Sequence, residues 1–339
     1  MKVAINGFGR IGRPSLKIIL EKPDMEVVAI NDLGDIKNLA YLLKYDTAFG
    51  IYNREVSVEE LEDKEFNLLK VGDVSIRVYS NREPEKLPWK KLGVDVVLEC
   101  TGFFKDREGA GGHLKAGAKK VVISAPTKDE SIKMIVLGVD EQTITPEDDI
   151  LSNASCTTNC IAPVMKVLDE NFGVEKSLMS TIHSYTSTQN LVDGASKKDF
   201  RRGRAAAQNV VPTSTGAAIA TTKTLPQLEN KFDGMAFRVP TIDGSITDIV
   251  ALLKNNVTVN EVNEVLARAG SEELKGIIQT TDEPLVLRDI IGNPHSSIIQ
   301  TDLTKVIGGN LVKVVSWYDN EWGYSNRLVE LVEFVGLMK

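Results

Sequence analysis

The chain has 339 residues, of which 42% are hydrophobic and 26% are charged, a composition typical of a globular protein with about two domains. It carries 40 Lys and Arg against 47 Asp and Glu, and this net charge of −7 argues against general binding of nucleic acid. The three cysteines are too few for a disulfide framework, and no apolar run approaches the roughly 18 residues of a membrane span. We therefore expect a cytoplasmic protein without a targeting segment or membrane contact.

The first predicted elements are a strand, a glycine-rich turn and a helix. A short apolar run at 2–6 is followed at once by the motif Gly7-Phe8-Gly9-Arg10-Ile11-Gly12 and then by a helical pattern. A β-branched run at 27–30 completes a βαβ unit. In such a unit the first glycine makes the tight turn, the second lets the backbone approach a pyrophosphate, and the third allows close packing of the helix. A plain strand-turn-helix without a ligand is the weaker alternative.

An acidic residue, Asp32, follows Gly12 by 20 residues, at the end of the second strand. A carboxylate at this place accepts a hydrogen bond from the 2′-hydroxyl of an adenosine ribose and repels a 2′-phosphate. The sequence therefore predicts a dinucleotide site that prefers NAD to NADP. Lys37 is near enough in sequence to reach a 2′-phosphate, so NADP stays open as the alternative.

The later patterns predict two domains of different architecture. The predicted elements are, in chain order, strands at 94–98, 121–124 and 135–139, a helix that includes Ile161, a long functional loop at 185–215, strands at 246–253, 297–301 and 311–317, and a helix at 325–337. Short apolar strands separated by helical stretches are typical of a mostly parallel, doubly wound sheet, and we expect one over the first 150 residues. The second sheet is expected to be mostly antiparallel.

The segment Ser155-Cys156-Thr157-Thr158-Asn159-Cys160 lies where a predicted strand meets the start of a helix. The free N–H groups and the dipole of a helix start stabilise a thiolate, and a nearby imidazolium adds to this effect. Cys156 is therefore the candidate nucleophile. Cys160, one helical turn further on, is predicted to be a core residue, with an oxidised pair as the alternative. Three Cys and three His offer no second ligand pair at zinc spacing, so we expect no metal site.

Three histidines can supply an imidazole base. His183 ends an apolar stretch and precedes a polar one, so it is predicted at a strand end that faces a loop, as a general base. His113 and His295 have no such context and are predicted to be surface or helix residues. Five of the eight residues at 197–204 are cations, which predicts a phosphate site or a solvated interface loop, with RNA or partner binding as the weaker alternative.

Four motifs stand out together: residues 5–12, residues 155–160, His183-Ser184-Tyr185-Thr186, and Tyr318-Asp319-Asn320-Glu321-Trp322-Gly323-Tyr324. In combination they resemble the glyceraldehyde-3-phosphate dehydrogenase family, and the resemblance runs along the whole chain. It implies oxidation of D-glyceraldehyde 3-phosphate to 1,3-bisphosphoglycerate, with NAD and inorganic phosphate, in a homotetramer of glycolysis and gluconeogenesis. It also implies that Cys156 forms a thiohemiacetal and then a thioester, while His183 takes the proton.

The resemblance further implies roles for individual residues. Thr186 and Arg238 would hold the phosphate of the substrate. The attacking phosphate would be held by Ser155, Thr157, Arg202, Thr215 and Gly216. The remaining NAD contacts would come from Asn6, Arg10, Ile11, Arg82, Thr101, Ser124 and Asn320, beside the three glycines and Asp32. The segment from Tyr185 onward would reach the NAD site of a neighbouring subunit.

The implied fold is α/β, with a Rossmann-type NAD-binding domain at 1–155, completed by a C-terminal helix at 321–339, and an α+β catalytic domain at 156–320. Two segments depart from the family pattern: Phe49 stands where many members have His, and Asp243-Gly244-Ser245 replaces a more apolar stretch. Two alternatives stay open. One is an erythrose-4-phosphate dehydrogenase, which releases the acid by hydrolysis. The other is a non-catalytic relative that binds a dinucleotide or RNA.

Overall fold

The computed structural model of the protein describes residues 1–62, 65–196 and 199–338. They form two compact units. The first contains residues 1–135, 143–154 and the chain from Ser325 onward, and the second contains residues 136–142 and 155–324. Lys197 and Lys198 of the predicted basic segment, and Lys339 at the end of the predicted C-terminal helix, lie outside the described residues.

The first unit is built around a sheet with short apolar strands. The strands of this unit are β1 (Lys2–Asn6), β2 (Glu26–Asn31), β3 (Tyr45–Asp46), β4 (Gly50–Ile51), β5 (Val56–Glu59), β6 (Asn67–Val71), β7 (Val74–Tyr79), β8 (Val96–Glu99), β9 (Lys120–Ile123), β10 (Lys133–Met134) and β11 (Ile150–Ser152). The short strands β3 and β4 pair only with each other. Its helices before residue 150 are α1 (Gly12–Ile19), α2 (Ile36–Lys44), α3 (Trp89–Leu92) and α4 (Arg107–Lys115).

The strands of this sheet lie in the order β10-β11-β9-β8-β1-β2-β7-β6-β5. All pairs from β10 to β7 are parallel, and β5 and β6 add an antiparallel edge. The order reverses between β1 and β8, and the crevice beyond the carboxyl ends of strands at such a point is where α/β sheets bind ligands. The predicted doubly wound architecture is confirmed.

The strand predicted at 135–139 is wrong. The strand there is β10, which ends at Met134, and the chain then turns. Gly138 has a φ of +83°. The Val136 N–H donates to the Asp140 carboxylate and the Gly138 N–H to Glu141, each at 2.8 Å. The apolar side chains that suggested a strand are buried all the same, because the turn itself packs within the second unit.

The second unit has a mixed sheet with helices packed against it. Its elements are α5 (Cys156–Phe172), β12 (Val174–Ser184), β13 (Val211–Ser214), α6 (Ala217–Thr224), β14 (Phe232–Val239), β15 (Ser245–Leu253), α7 (Val259–Ser271), β16 (Ile278–Thr281), β17 (Ser297–Gln300), β18 (Lys305–Ile307) and β19 (Leu311–Tyr318). The strand order is β13-β14-β12-β15-β19-β17-β16, and β18 pairs with β19. The pairs β12–β14 and β16–β17 are parallel and the other described pairs are antiparallel, so the sheet is mostly antiparallel, as predicted, but mixed.

The segment predicted as a continuous loop at 185–215 ends in a strand. β13 pairs antiparallel with β14, so that Val211 lies opposite Arg238 and Thr213 opposite Ala236. Short 3-10 turns precede it, at Phe200–Gly203 and Ala206–Gln208. The strand forms because β14 offers an otherwise free edge, which local periodicity cannot reveal.

The last element is helix α8 (Trp322–Leu337), three residues longer at its start than predicted. Its apolar face is fully buried, through Leu328, Val329, Leu331, Val332 and Val335. Near its end, Glu333 forms an ion pair with Lys22 at 2.5 Å. Within the described part of the chain, none of the helices combines the length and the apolar character that a membrane crossing needs.

Candidate active site

Cys156 is the first residue of α5, as the sequence predicts. The residue before it, Ser155, caps the helix, and its hydroxyl accepts a hydrogen bond from the Thr158 N–H at 3.1 Å. Such a cap satisfies one of the free N–H groups of the first turn and stabilises the helix start at Cys156. Cys160, one turn later, is fully buried and its thiol meets the Ser316 hydroxyl at 3.4 Å, so the predicted core role is confirmed.

His183 lies next to last in β12, and its imidazole is directed at the thiol. Nε2 is 3.4 Å from Sγ of Cys156, and Nδ1 is 2.7 Å from the Ser184 carbonyl oxygen. The ring packs edge-on against Tyr318. The Tyr318 hydroxyl lies 3.0 Å from that of Thr157 and 2.8 Å from that of Thr181, and so ties β19 to α5 and β12. Sequence reasoning missed this role of Tyr318.

The protonation states of the pair follow from burial. Desolvation by the surrounding protein raises the pKa of the Cys156 thiol, against the opposing effect of the Arg238 charge. Burial, together with the charge of Arg238, lowers the pKa of His183 to about 3. At neutral pH the free pair is therefore a thiol and a neutral imidazole, and not the thiolate expected from the helix start alone. A neutral Nε2 is the form that accepts a proton, so the pair is arranged for general-base attack.

Arg238 places positive charge beside this pair. It is at the end of β14, with Nη1 at 2.5 Å from Nδ1 of His183, and donates to the Ser184 oxygen at 3.1 Å. Burial lowers the pKa of Arg238, and the charge of Arg202 lowers it further. Arg202 donates from Nε to the Thr213 hydroxyl at 2.9 Å and forms an ion pair with Asp199 at 3.8 Å. A guanidinium group beside the thiol and the imidazole favours an anion there.

The other predicted phosphate residues are spread over several turns of the second unit. The Thr157 hydroxyl is 4.0 Å from Sγ of Cys156. The Thr186 hydroxyl meets that of Thr188 at 2.9 Å. The Thr215 hydroxyl accepts from the Ala217 N–H at 3.1 Å, and Gly216 precedes α6. Direct contacts thus bring together Cys156, Thr157, His183 and Arg238, whereas Thr186 and Thr215 make local contacts within their own turns.

The glycine motif has the geometry that a dinucleotide site requires. Gly7 has a φ of +92°, and a Cβ on it would lie 2.7 Å from the Thr101 nitrogen. A Cβ on Gly12 would lie 2.1 Å from the Gly7 oxygen, so only glycine lets α1 pack this closely. Gly9 is open: a Cβ there would have no neighbour within 4 Å in the described structure. The space over Gly9 is free for a ligand's phosphates.

A cavity of about 470 Å³ lies at the carboxyl ends of β1, β2 and β8. Its lining includes six of the predicted cofactor residues: Asn6, Gly7, Gly9, Asp32, Arg82 and Thr101. The lining also includes aromatic side chains that sequence reasoning missed, Phe103 and Phe104. The Asp32 carboxylate accepts from the Phe8 and Gly34 N–H groups at 2.6 and 2.8 Å. Lys37 forms an ion pair with Glu60 at 2.5 Å.

The remaining predicted cofactor residues have other contacts. Arg10 forms an ion pair with Asp46 at 2.5 Å, and Ile11 is the residue before α1. The Ser124 N–H donates to the Glu99 oxygen at 2.9 Å. Asn320 lies in the second unit, where its Oδ1 accepts from the Ser245 hydroxyl at 2.7 Å.

A buried polar network lies beneath the cavity. His113 is on α4, as a helix residue was expected, but it is fully buried rather than at the surface. Its Nδ1 accepts from the Trp89 indole at 2.9 Å, so its Nε2 carries the proton toward Glu99, 3.1 Å away. Glu99 in turn accepts from the Asn6 amide at 2.6 Å and from the Thr101 hydroxyl. In residues 1–62, 65–196 and 199–338 no cluster of His, Cys, Asp and Glu is arranged to hold a metal ion.

Comparison with known proteins gives the family. Residues 1–107 match the family model "Glyceraldehyde 3-phosphate dehydrogenase, NAD binding domain", and residues 155–320 match the C-terminal domain of the same family. The chain belongs to the glyceraldehyde-3-phosphate dehydrogenase family. The predicted family, an NAD-dependent oxidoreductase, and the predicted cofactor, NAD, are confirmed.

Relatives of this dehydrogenase family match over nearly the whole chain. The chain is 52% identical over 336 residues to the glyceraldehyde-3-phosphate dehydrogenase of Geobacillus stearothermophilus and 51% identical over 339 residues to that of Streptomyces coelicolor; each alignment covers 99% of this chain and 98% of the relative. It is 46% identical over 340 residues to a protein of Craterostigma plantagineum named "Glyceraldehyde-3-phosphate dehydrogenase, cytosolic", with 100% and 99% covered.

Proposed function

We propose that this protein oxidises D-glyceraldehyde 3-phosphate with inorganic phosphate to 1,3-bisphosphoglycerate, with reduction of NAD. The observation that carries the proposal is the 3.4 Å contact between Sγ of Cys156 and Nε2 of His183, at a helix start and beside Arg238. A thiol with a neutral base in reach is the arrangement that attacks an aldehyde.

The chain's own residues account for the proton transfers. The thiol adds to the aldehyde carbon, and its proton passes through Nε2 of His183 to the carbonyl oxygen, which gives a thiohemiacetal on Cys156. His183 then takes the hydroxyl proton as the aldehyde carbon is oxidised, and a thioester remains; NAD, held by the residues assigned below, would supply the hydride acceptor. The N–H groups at the start of α5 stabilise the negative oxygen during both steps. An oxygen of inorganic phosphate attacks the thioester carbon, the carbon–sulfur bond breaks to release the acyl phosphate, and the Cys156 thiolate takes the proton from protonated His183.

Two phosphate groups need positive charge and hydroxyls near this thiol. We assign the substrate's phosphate to Thr186 and Arg238, and the attacking phosphate to Ser155, Thr157, Arg202, Thr215 and Gly216. The contact of Arg238 with His183, and the effect of the Arg202 charge on Arg238, support this assignment, because a guanidinium group is a bidentate donor for phosphate oxygens.

We assign NAD to the predicted contacts Asn6, Gly7, Gly9, Arg10, Ile11, Gly12, Asp32, Arg82, Thr101, Ser124 and Asn320. The fit of the glycine turn and the cavity lining support the assignment in the first unit. In functional terms, we assign the NAD-binding domain to 1–155, completed by 321–339, and the catalytic domain to 156–320.

We also propose a cytoplasmic homotetramer. Large apolar side chains are exposed on one face of the second unit's sheet, where Leu178 is 66% exposed and Val250 and Leu311 line a groove of about 1120 Å³. The segment after Tyr185 exposes Leu191, Val192 and, at 89%, Phe200. Apolar patches of this kind are typical of surfaces that other subunits cover. The name of the Craterostigma relative supports the cytoplasm.

The test is NADH formation from glyceraldehyde 3-phosphate and NAD in reducing buffer, run in parallel with and without inorganic phosphate. We expect turnover that depends on phosphate. Phosphate-independent release of the acid would instead favour the hydrolytic alternative represented by erythrose-4-phosphate dehydrogenase. No turnover in either arm would favour a protein that only binds a dinucleotide or RNA.

A further inference from the structure

Two buried carboxyl groups meet beside the end of β12, the strand that carries His183. Asp243 lies in the turn between β14 and β15, Asp319 follows β19, and each is 1% exposed. Ser245, two residues after Asp243, lies opposite His183 on one side and opposite Tyr318 on the other. The turn at 243–245 is also where the sequence departs from the family pattern.

The hydrogen bonds around the two carboxyl groups are unequal. Asp319 accepts from three backbone N–H groups, those of Gly292, Glu321 and Trp322, at 2.7, 2.9 and 2.7 Å. Asp243 accepts from the Gly244 N–H at 2.8 Å through Oδ1. No donor group in the described part of the chain reaches its buried Oδ2, and the side chain with which it can form a hydrogen bond is Asp319. Two carboxyl groups form a hydrogen bond only when one of them is protonated.

We propose that Asp243 and Asp319 share one proton in the folded protein, that Asp243 carries it and donates to Asp319, and that this bond positions the turn at 319–322. Asp319 is the charged partner because three N–H donors stabilise its carboxylate. The turn carries Asn320, which also bonds Ser245. Asp243 is thus a positioning residue for the proposed active site, and in this respect the inference rests on the proposed function.

The surroundings of Asp243 favour its neutral form. Burial, and then the negative charges of Asp319 and Glu321, raise its pKa to about 10. The titratable and charged side chains at the ends of these elements nearest the turn include Cys156, His183, Arg238, Arg288, Asp289, Tyr318, Asp319 and Glu321. A charged Asp243 would raise the pKa of the Cys156 thiol. Keeping Asp243 neutral therefore makes it easier to deprotonate Cys156.

Because of the shared proton, the free energy of unfolding should decrease as pH rises. An aspartate in the unfolded chain has a pKa of about 3.9, well below that of Asp243 in the folded protein. The stabilisation by this proton is complete below pH 4 and is lost as pH rises toward 10, because unfolding releases the proton over that range. The D243N variant keeps a donor for Asp319 and has no proton to release.

The experiment compares the unfolding of the wild type and D243N from pH 5 to pH 9, with D282N as the control. Asp282 is an exposed residue that follows β16, outside the exposed apolar sheet face. We expect the unfolding constant of the wild type, relative to that of D243N, to rise by about tenfold per pH unit, the effect of one released proton. D282N should show a ratio that does not change with pH. A ratio for D243N that stays constant would mean that Asp243 is already ionised in the folded protein, and would overturn the proposal.

A second readout is the rate at which iodoacetamide alkylates Cys156 between pH 6 and pH 8.5. D243N replaces a neutral group by a neutral group, so the pH profile should match that of the wild type. A profile displaced to lower pH would show that a negative charge had been removed, which contradicts a protonated Asp243. D243A, which removes the donor, should lower kcat/KM, and D243N should restore it. The unfolding comparison needs no enzymatic activity, so its outcome is separate from that of the proposed function.

Discussion

Nη1 of Arg238 lies 2.5 Å from Nδ1 of His183. This nitrogen also lies 2.7 Å from the Ser184 oxygen, and the two neighbours make opposite demands, since the guanidinium needs a lone pair and the carbonyl needs a proton. Only the tautomer that carries its proton on Nδ1, and donates it to the Ser184 carbonyl, leaves Nε2 free to accept the thiol proton. An anion that draws Arg238 away from Nδ1 therefore favours the tautomer in which His183 acts as a base.

Replacing Arg238 by lysine tests this relationship. Lysine keeps the charge but lacks the planar fork, so it loses the paired contacts to phosphate and to His183. We expect kcat/KM to fall by about 10- to 150-fold, the effect of losing a hydrogen bond to a charged group, about 1.5–3 kcal/mol. R268K is the matched control, because Arg268 is exposed on α7 in the same unit. Equal kinetics in R238K and R268K would remove Arg238 from the proposed phosphate site.

The pH dependence of thiol alkylation tests the base. Burial lowers the pKa of His183 to about 3, so the imidazole is neutral above about pH 5, and Nε2 is free to accept a proton when Nδ1 donates to the Ser184 oxygen. Base-assisted alkylation of Cys156 should then be nearly independent of pH from 5 to 8, and should rise further only when the thiol ionises by itself. In H183N the rate should rise by about tenfold per pH unit from the start, because the desolvated thiol has a raised pKa and no base.

Peptide mapping of the alkylated protein supplies the control for this profile. The label should be on Cys156, since Cys160 is fully buried and burial raises its pKa to about 12. An identical profile in the wild type and H183N would contradict general-base assistance by His183.

Two glycine substitutions separate folding from cofactor binding. G12A places a Cβ 2.1 Å from the Gly7 oxygen, and this overpacking should cost about 3 kcal/mol and lower the thermal midpoint by about 6–12 °C. G9A adds a Cβ where the described structure has open space, so the midpoint should stay within about 2 °C. Its affinity for NAD, measured by calorimetry, should nevertheless fall by about tenfold or more, because the methyl occupies the space assigned to the pyrophosphate. Unchanged affinity in G9A would place the phosphates elsewhere.

Local signals predicted the features that depend on neighbours in sequence. The glycine turn before α1 and the position of Cys156 at the start of α5 follow from short motifs, and both have the expected geometry. Contacts between distant segments were not predictable. Tyr318 meets Thr157 across 161 residues of sequence, through the packing of α5 against β19, which no local period encodes. The protonation state of the free Cys156 thiol was also not predictable, because it depends on burial rather than on the helix start.

The proposed homotetramer can be tested by a substitution on the exposed apolar face of the second unit's sheet. Leu178 is 66% exposed on β12, opposite Val250 on β15, and we expect a second subunit to cover it in the homotetramer. L178K would bury a charged ammonium in that contact; its desolvation costs several kcal/mol per subunit pair and should yield smaller species in light scattering at micromolar concentration. V286K is the control, since Val286 is similarly exposed, at 61%, in a loop outside this face. The wild type and V286K should both have four times the mass of one chain. A tetramer that persists in L178K would mean that this face stays in water, and the apolar segment after Tyr185 would then be the surface to substitute.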